Sequence, residues 1–137
     1  MTIPRAKASP ATDRIGDKHG ASVRIALVDP ASPFVDVRFP ELHETKDSYV
    51  AGIESNIERL KNILRENTGP GTLKIKLYNA APGICLYATE DVALVGMFLA
   101  KTDAVNAPCY ELSAKTELYR IYIEHFERVW QNAKPVT

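Results

Sequence analysis

Cysteine is scarce in this chain of 137 residues, and a long apolar run is missing altogether. Cys85 and Cys109 form neither a Cys-x-x-Cys pair nor any zinc-ligand spacing, which predicts buried free thiols in a reducing compartment. The longest apolar stretch, residues 92–100, is too short to cross a bilayer and contains Gly96. The first residues are polar and lack the apolar core of a signal peptide. The sequence therefore predicts a cytoplasmic domain without membrane association.

An excess of charge of either sign is also missing, because 17 basic side chains balance 17 acidic ones. A chain with no net charge has no overall field that would draw it onto nucleic acid or an anionic membrane. We therefore expect no nucleic-acid partner for this domain itself. The apolar share of 45% and the charged share of 25% are those of an ordinary globular domain, and the length is sufficient for one core.

The chain divides into two parts by composition. Residues 1–20 contain few large apolar side chains and are rich in proline, alanine, serine and charge, so they bury too little surface to offset the entropy of ordering. This composition predicts a flexible tail or linker over residues 1–20. Residues 21–137 are predicted to form a single domain.

Apolar periodicity in the second part predicts strands and two long helices. Asp47 or Ser48 is expected to cap the first helix, and the second helix is expected to follow a cap at Thr116 and to end at Pro135. A proline-rich loop over residues 29–45, with a short edge piece near residues 35–39, precedes the first helix. The predicted strands are 23–28, 73–77, 84–88, 92–100 and 109–113.

This order of elements predicts an α/β domain with a mixed sheet of about five strands and two long helices. Helices on the two sides of the sheet give the α/β arrangement, and both helices on one face give an α+β arrangement. The periodicity of the sequence is compatible with either. The strands at 84–88 and 92–100 are joined at "TED", which predicts a hairpin.

Three features of the second half form a pattern: Asp91 in the hairpin turn, Gly96 after it, and "HFERVW" in the last helix. Together they resemble a single repeat of the phospholipase D-like fold, and the resemblance extends over residues 23–134. In that family a hairpin carries His-x-Lys-x-x-x-x-Asp, a glycine follows, and the closing helix often ends in Phe-x-x-x-Trp. Glu111 lies where the family often has a late acidic residue.

The resemblance fails at the two residues that carry the family's chemistry. Ile84 stands at the position of the nucleophilic histidine and Leu86 at the position of the phosphate-binding lysine. Isoleucine cannot attack phosphorus, and leucine cannot bind phosphate oxygens. The resemblance therefore implies a degenerate, non-catalytic phospholipase D-like domain.

The chain is also similar to bacterial domains of this degenerate type that are joined to helix-turn-helix regulators. "KIKLYN", "ICLYATEDVALVG" and "KTELYRIYIEHFERVW" follow their pattern. This similarity implies a sensory or regulatory domain that binds a small polar ligand or a protein partner. No histidine pair has metal-ligand spacing, and we expect neither a metal nor another cofactor.

Polar side chains at predicted strand ends are the candidate binding residues, since ligands of open α/β sheets gather outside the carboxyl ends of strands. The mixture of charges and tyrosines favours a small polar ligand over a metal. Ordinary solvated strand ends would have the same composition. The candidates are Asp29, Arg38, Tyr78, Asn79, Lys101, Glu111 and Lys115.

Two alternatives to a non-catalytic binding domain stay open. One is a module that serves only for dimerisation. The other is an enzyme with a relocated site built on Arg38, His43, Tyr78, Lys101 and Glu111.

A homodimer is the expected assembly. Phospholipase D-like sites are normally formed by two repeats that face each other, and this chain has one repeat. The hairpin strands carry more apolar side chains than one sheet face requires, and an uncovered apolar edge finds a partner. We expect Tyr87, Met97 and Leu99 near the contact.

Overall fold

A computed structural model of the chain describes residues 20–136 together with the backbone of Thr2–Arg5. The helices are α1 (Val35–Arg38), α2 (Lys46–Glu66) and α3 (Glu117–Asn132), with 3-10 turns at Phe39–Leu42 and Ala104–Asn106. The strands are β1 (Thr2–Arg5), β2 (Ser22–Val28), β3 (Thr72–Tyr78), β4 (Ile84–Ala88), β5 (Val92–Met97), β6 (Cys109–Ser113) and β7 (Lys134–Pro135).

All seven strands belong to one mixed sheet with the order β6-β5-β4-β1-β2-β3-β7. On one side, β4, β5 and β6 are antiparallel neighbours. On the other side, β2 and β3 are parallel and β7 runs antiparallel to β3. The sheet thus consists of two three-stranded halves, and β1 joins them by pairing antiparallel with β2 and parallel with β4. The predicted mixed sheet with two long helices is confirmed, and all five predicted strands are present.

The predicted tail departs from the structure at its start, because Thr2–Arg5 is a strand inside the sheet. Composition suggested no order there, since four residues bury little apolar surface by themselves. Pairing with two neighbouring strands supplies backbone hydrogen bonds that are not visible in composition. Met1 and residues 6–19 of the predicted tail lie outside the described residues.

Helix α3 covers one face of the sheet. Its Phe126 is fully buried against Ala26, Leu86 and Val95, one residue from each of three strands, and Trp130 completes the contact at 9% exposure. Phe126 and Trp130 are stacked with their ring centroids 5.7 Å apart. The amphipathic stripe that predicted this helix is therefore the surface that forms the main core.

The connection from β2 to β3 carries α2 across the other face. Ile57 of α2 is buried, as are Leu73 and Ile75 of β3, whose side chains point away from α3. No described helix covers this face of β4, β5 and β6. Tyr87 and Leu94, which are paired on that face, are 53% and 40% exposed.

Local structure differs from the sequence prediction in the first helix. Thr45, not Asp47 or Ser48, caps α2, and its hydroxyl accepts a hydrogen bond from the Ser48 N–H at 3.2 Å. The expected edge piece at residues 35–39 is the helical turn α1. Its core-facing residue is Val35, with 1% exposure, so one turn of helix buries a side chain that an edge strand would bury only in part.

Helix α3 begins as predicted, after Thr116. The Thr116 hydroxyl accepts from the Tyr119 N–H at 3.3 Å and donates to the Ser113 carbonyl at 2.7 Å. The helix ends at Asn132, before Pro135, because residues 134–135 form β7 on the edge of β3. Further along α3, Glu127 and Arg24 of β2 form a bidentate ion pair with N–O distances of 2.5 and 2.9 Å.

Strand β5 is regular along its whole length. Its pairing with β4 runs without a break from Ile84↔Met97 to Ala88↔Ala93, so Gly96 marks no bulge. A β-carbon at Gly96 would lie 3.7 Å from that of Cys85, which is ordinary contact. The strand ends at Met97, and residues 98–100 leave the sheet.

Candidate functional site

Strands β2, β3 and β5 all end at the same edge of the sheet, which we call the carboxyl edge. β2 and β3 are parallel. β1 is antiparallel to β2 and parallel to β4, and β4 is antiparallel to β5, so β5 runs in the same direction as β2. In parallel arrangements this edge is where ligands bind. The segments that leave it are residues 29–34, 79–83 and 98–102.

The ends of β2 and β3 are fastened together at the carboxyl edge. The Asp29 N–H donates to the Tyr78 carbonyl at 2.8 Å, and the hydroxyl of buried Ser32 donates to Asn79 Oδ1 at 2.6 Å. The Asp29 carboxylate accepts from the Ala31 N–H at 2.9 Å. Asp29, Tyr78 and Asn79 are therefore neighbours, as the sequence predicted, and part of their polar capacity shapes the turn.

Arg38 lies at the same edge, although its guanidinium is already occupied. The residue is 5% exposed, and it donates to the carbonyls of Leu99 and Thr102, both at 3.0 Å. It also pairs with Glu41 at 3.2 Å and lies over the Phe98 ring, 4.9 Å from its centroid. Arg38 thus fastens α1 to the segment after β5 and positions that segment.

Tyr78 is the centre of a small tyrosine–thiol cluster at this edge. Burial, chiefly, and the neighbouring Tyr49 and Cys85 raise the pKa of Tyr78 to about 12. Burial also raises the pKa of Tyr49, which the nearby Arg38 partly offsets. Hydrogen bonding to the Cys85 thiol raises the pKa of Tyr87. Within residues 20–136, neither the Tyr78 hydroxyl nor the Tyr49 hydroxyl has a hydrogen-bond partner, and both hydroxyls are open to solvent rather than fully buried.

Two residues with left-handed backbone angles border the carboxyl edge. Lys101 has φ +55°, and His43, at the end of the 3-10 turn, has φ +56°. Both side chains are exposed. The left-handed conformation costs about 1 to 2 kcal/mol for a residue other than glycine, so the loops on this edge are held by their surroundings.

Glu111 and Lys115 do not reach the carboxyl edge. β6 runs antiparallel to β5, so its own carboxyl end lies at the opposite edge of the sheet. Glu111 is exposed in the middle of β6, paired with Leu94, and Lys115 follows β6 at the far edge. The prediction treated all strand ends as equivalent, and the antiparallel direction of β6 separates these two residues from the others.

Lys115 instead borders a shallow depression of about 380 Å³ at the start of α3. Its charged walls are paired with one another, since Arg120 contacts both Glu117 and Glu124. These contacts lower the pKa of Glu117 and raise that of Arg120. The charges of Glu117, Arg120 and Glu124 are therefore all engaged in ion pairs with one another.

The positions of the phospholipase D-like motif are spread along β4. Ile84 stands at the start of this strand, near the carboxyl edge, whereas Asp91 lies in the turn beyond its other end. Leu86 is fully buried under α3. Asp91 is exposed, and its carbonyl accepts from the Ala114 N–H at 2.8 Å. These three residues belong to a core strand and a turn, and Ile84 and Asp91 lie at opposite edges of the sheet.

The cluster at the carboxyl edge can donate and accept hydrogen bonds. With its pKa raised to about 12, the Tyr78 phenol stays protonated at neutral pH and is available as a hydrogen-bond donor. In the described part of the chain, no group of three or more histidine, cysteine or acidic side chains could hold a metal ion. None of the described helices is long and apolar enough to cross a membrane.

Tyr49 and Cys85 were not identified from the sequence as members of this cluster. Tyr49 stands in the first turn of α2, and Cys85 is the second residue of β4. The start of α2 and the start of β4 both lie at the carboxyl edge because of the order and direction of the strands, which the sequence pattern alone does not give. The sequence signal for this site was Tyr49 at the start of α2, because its hydroxyl places a polar group at the end of an apolar stripe.

A family profile matches residues 11–137, which is most of the chain. The chain belongs to the DUF5919 family, a domain of unknown function. The match spans every helix and every strand except β1. No curated protein and no solved structure matches the chain.

Proposed function

We propose that this member of the DUF5919 family is a non-catalytic, phospholipase D-like regulatory domain that binds a small polar ligand at the carboxyl edge. The observation that carries the proposal is the pair of hydroxyls of Tyr78 and Tyr49, which are close together, partly buried and without a hydrogen-bond partner in residues 20–136. Polar groups in such surroundings are normally hydrogen-bonded to protein, water or ligand. A ligand with matching groups would satisfy them.

The chemistry of the edge favours an uncharged ligand. Both phenols have raised pKa values and stay neutral, and the cation of Arg38 is consumed by two carbonyls and Glu41. The amide nitrogen of Asn79 is a further donor, since only its oxygen is used by Ser32. We propose a ligand that presents hydroxyl, amide or ring-nitrogen groups, with an apolar body that contacts the half-buried Phe98.

The absence of catalysis is proposed from the sequence pattern and supported by burial. Leu86, at the position of the lysine in the phospholipase D-like motif, is fully buried. Ile84, at the position of the histidine in that motif, packs against the same core. Neither position has a group that could attack or bind phosphate. A regulatory role in bacteria, in the cytoplasm, follows from the resemblance to domains that are joined to helix-turn-helix regulators.

Binding is tested by thermal unfolding with a panel of nucleosides, phenols, amides and sugars at millimolar concentration. A ligand present at ten times its Kd stabilises the folded state by about 1.4 kcal/mol, which raises Tm by roughly 5 °C for a domain of this size. The Tyr78→Phe variant should lose this increase. Tyr110→Phe, which removes a hydroxyl from exposed β6, should keep it.

Catalysis is tested with generic phosphodiester substrates. We expect no turnover above the uncatalysed rate. Turnover that disappears in Asp91→Asn would refute the non-catalytic assignment, because Asp91 stands at the position of the aspartate in the phospholipase D-like motif. A panel in which no compound raises Tm, with Tyr78→Phe behaving like the native protein throughout, would refute the proposed binding site.

A further inference from the structure

The outer strand β6 has an open backbone edge. The Ala114 N–H donates to the Asp91 carbonyl, and hydrogen bonding in an antiparallel pair alternates, so the even-numbered residues of β6 bond to β5. The N–H and C=O groups of Cys109 and Glu111 therefore point away from the sheet. They have no partner in residues 20–136.

Nothing in β6 blocks pairing at this edge. The strand has five residues, contains neither proline nor lysine, and keeps regular register, whereas the opposite edge is the two-residue β7 that ends in Pro135. Four of the five β6 residues are exposed. Proteins commonly protect edges with short strands, proline, lysine or bulges, so an unprotected regular edge is available for a further strand.

An apolar surface borders this edge on the side of α3. Tyr110 shares a face with buried Val95, with which it is paired, and is 61% exposed. Leu118 and Ile121 lie one turn apart in the half of α3 that is next to β6, and they are 53% and 46% exposed. The charged residues of α3 form ion pairs along a different side of the helix.

We infer that β6 pairs antiparallel with β6 of a second copy of this chain, so that two sheets join into one around a two-fold axis. Such an axis is perpendicular to the sheet and leaves both α3 helices on the same side. The exposed flanks of α3 and the two Tyr110 side chains then meet around the axis. The occupant of the edge is thus a strand of identical sequence, with an apolar surface of identical shape beside it.

Charge and hydrogen bonding select one register. The register is defined by the residue of β6 that lies at the two-fold axis, opposite its own copy in the partner. Centring the pair on Glu111 would place two carboxylates opposite each other, which is unfavourable. Centring on Leu112 would need the Ser113 carbonyl, which already accepts from the N–H and hydroxyl of Thr116. Centring on Tyr110 places Glu111 opposite the partner's Cys109 and uses only the free backbone groups. The two Tyr110 rings are then direct neighbours, an arrangement that aromatic pairs favour.

The size of the interface requires both parts of this surface. Specific interfaces bury about 800 Å² per partner, with roughly 20 residues on each side. Five residues of β6 do not supply that area alone. The flank of α3 with Leu118 and Ile121, together with Tyr110 and Met97 on the same face of the sheet, adds exposed apolar surface beside the strand.

The sequence-based expectation placed Tyr87, Met97 and Leu99 in a single contact. All three are exposed, at 53%, 42% and 39%. Tyr87 pairs with Leu94 and Met97 with Ile84, so strand alternation puts Tyr87 and Met97 on opposite faces of the sheet. Met97 lies on the side of α3 and Tyr87 on the other side, so the inferred dimer includes Met97 and leaves Tyr87 uncovered.

Sedimentation equilibrium of the full chain tests the dimer, with an expected mass of twice 15.2 kDa at micromolar concentration. Glu111→Pro should raise the dimer dissociation constant at least tenfold. The N–H that this change removes points outward, so the pairing of β5 and β6 is kept. Glu111→Thr, which retains the N–H, should dimerise as the native chain does. Leu118→Lys should weaken the dimer, and Ile63→Lys, at an exposed position of α2 on the opposite face of the sheet, should not.

Oxidative cross-linking tests the register. In a Cys85→Ser, Cys109→Ser background, Tyr110→Cys should form an intermolecular disulfide, because opposed residues of a non-hydrogen-bonded pair have Cα atoms about 4.5 Å apart. Leu112→Cys should not, since its counterpart is displaced along the strand. A monomer at every concentration overturns the inference, as does cross-linking through Leu112→Cys alone or a dimer that is insensitive to Glu111→Pro.

Discussion

Tyr78 illustrates how one side chain can link the stability of the sheet to pH. Its phenol has a pKa of about 12 in the folded chain and about 10 when the chain is unfolded. Below pH 10 the phenol is protonated in both states and has no effect on the pH dependence. Above pH 10 the unfolded chain loses this proton and the folded chain keeps it, so stability is lost as pH rises from about 10 towards 12.

Replacement by phenylalanine should remove this contribution. The native chain should lose about 1 kcal/mol of unfolding free energy through Tyr78 between pH 8 and pH 11. Tyr78→Phe should lack this loss, so its unfolding free energy relative to the native chain should be higher at pH 11 than at pH 8 by that amount. Urea unfolding at the two pH values measures the change. Tyr110→Phe, measured below the concentration at which the chain dimerises, provides the control, because Tyr110 is 61% exposed in the single chain. An equal response of the two variants would show that Tyr78 titrates as a solvated phenol.

The elements show which signals in the sequence decide structure. Helix α3 was predicted with its cap because an apolar stripe and Thr116 are both local. Strands β2 to β6 were predicted because each is a short apolar run between turn residues. Strands β1 and β7 were missed since Thr2–Arg5 and Lys134–Pro135 lack apolar alternation and are strands only through their neighbours. Propensity carries little information on segments of two to four residues.

Arg38 acts at the scale of elements because it fastens α1 to the segment after β5. Arg38→Ala would remove the side-chain donor to the Thr102 carbonyl and one of the two donors to the Leu99 carbonyl, which also accepts from the Thr102 N–H. We expect a loss of about 3 kcal/mol, as is typical when one partner of a buried charged hydrogen bond is removed. Arg59→Ala, on the exposed face of α2, should cost less than about 0.5 kcal/mol. Similar losses in the two variants, measured by urea unfolding, would contradict this role.

The candidate site was predictable in part, for a reason that lies in topology. Asp29, Tyr78 and Asn79 were placed together because β2 and β3 are joined by a helix, and such strands are parallel. The distance of Glu111 and Lys115 from that group depends on the direction of β6, which a strand pattern alone does not give. The role of Arg38 depends on carbonyls in a distant loop and has no local signature.

At the scale of the whole molecule, β1 is the seam between the two halves of the sheet. Its pairs are with residues 22–25 of β2 and with Tyr87 of β4. Deletion of residues 1–5 should therefore leave each half intact and weaken their junction. Hydrogen exchange should accelerate at least tenfold at residues 22–25, while amides shared by β5 and β6 should keep their protection. Uniform acceleration over the whole sheet, or none at residues 22–25, would contradict the seam.

The single tryptophan of the chain, Trp130 of α3, lies against the half of the sheet that contains β2 and β3. The guanidinium of Arg24 from β2 lies 5.5 Å from its ring centroid, and the ammonium of Lys76 from β3 lies 4.8 Å from it. Indole fluorescence responds to nearby charge and to water. The emission of this one side chain therefore reports whether α3, which follows the second half, is docked on strands of the first. The protein has its own spectroscopic probe for the assembly of its two halves, and no label needs to be introduced.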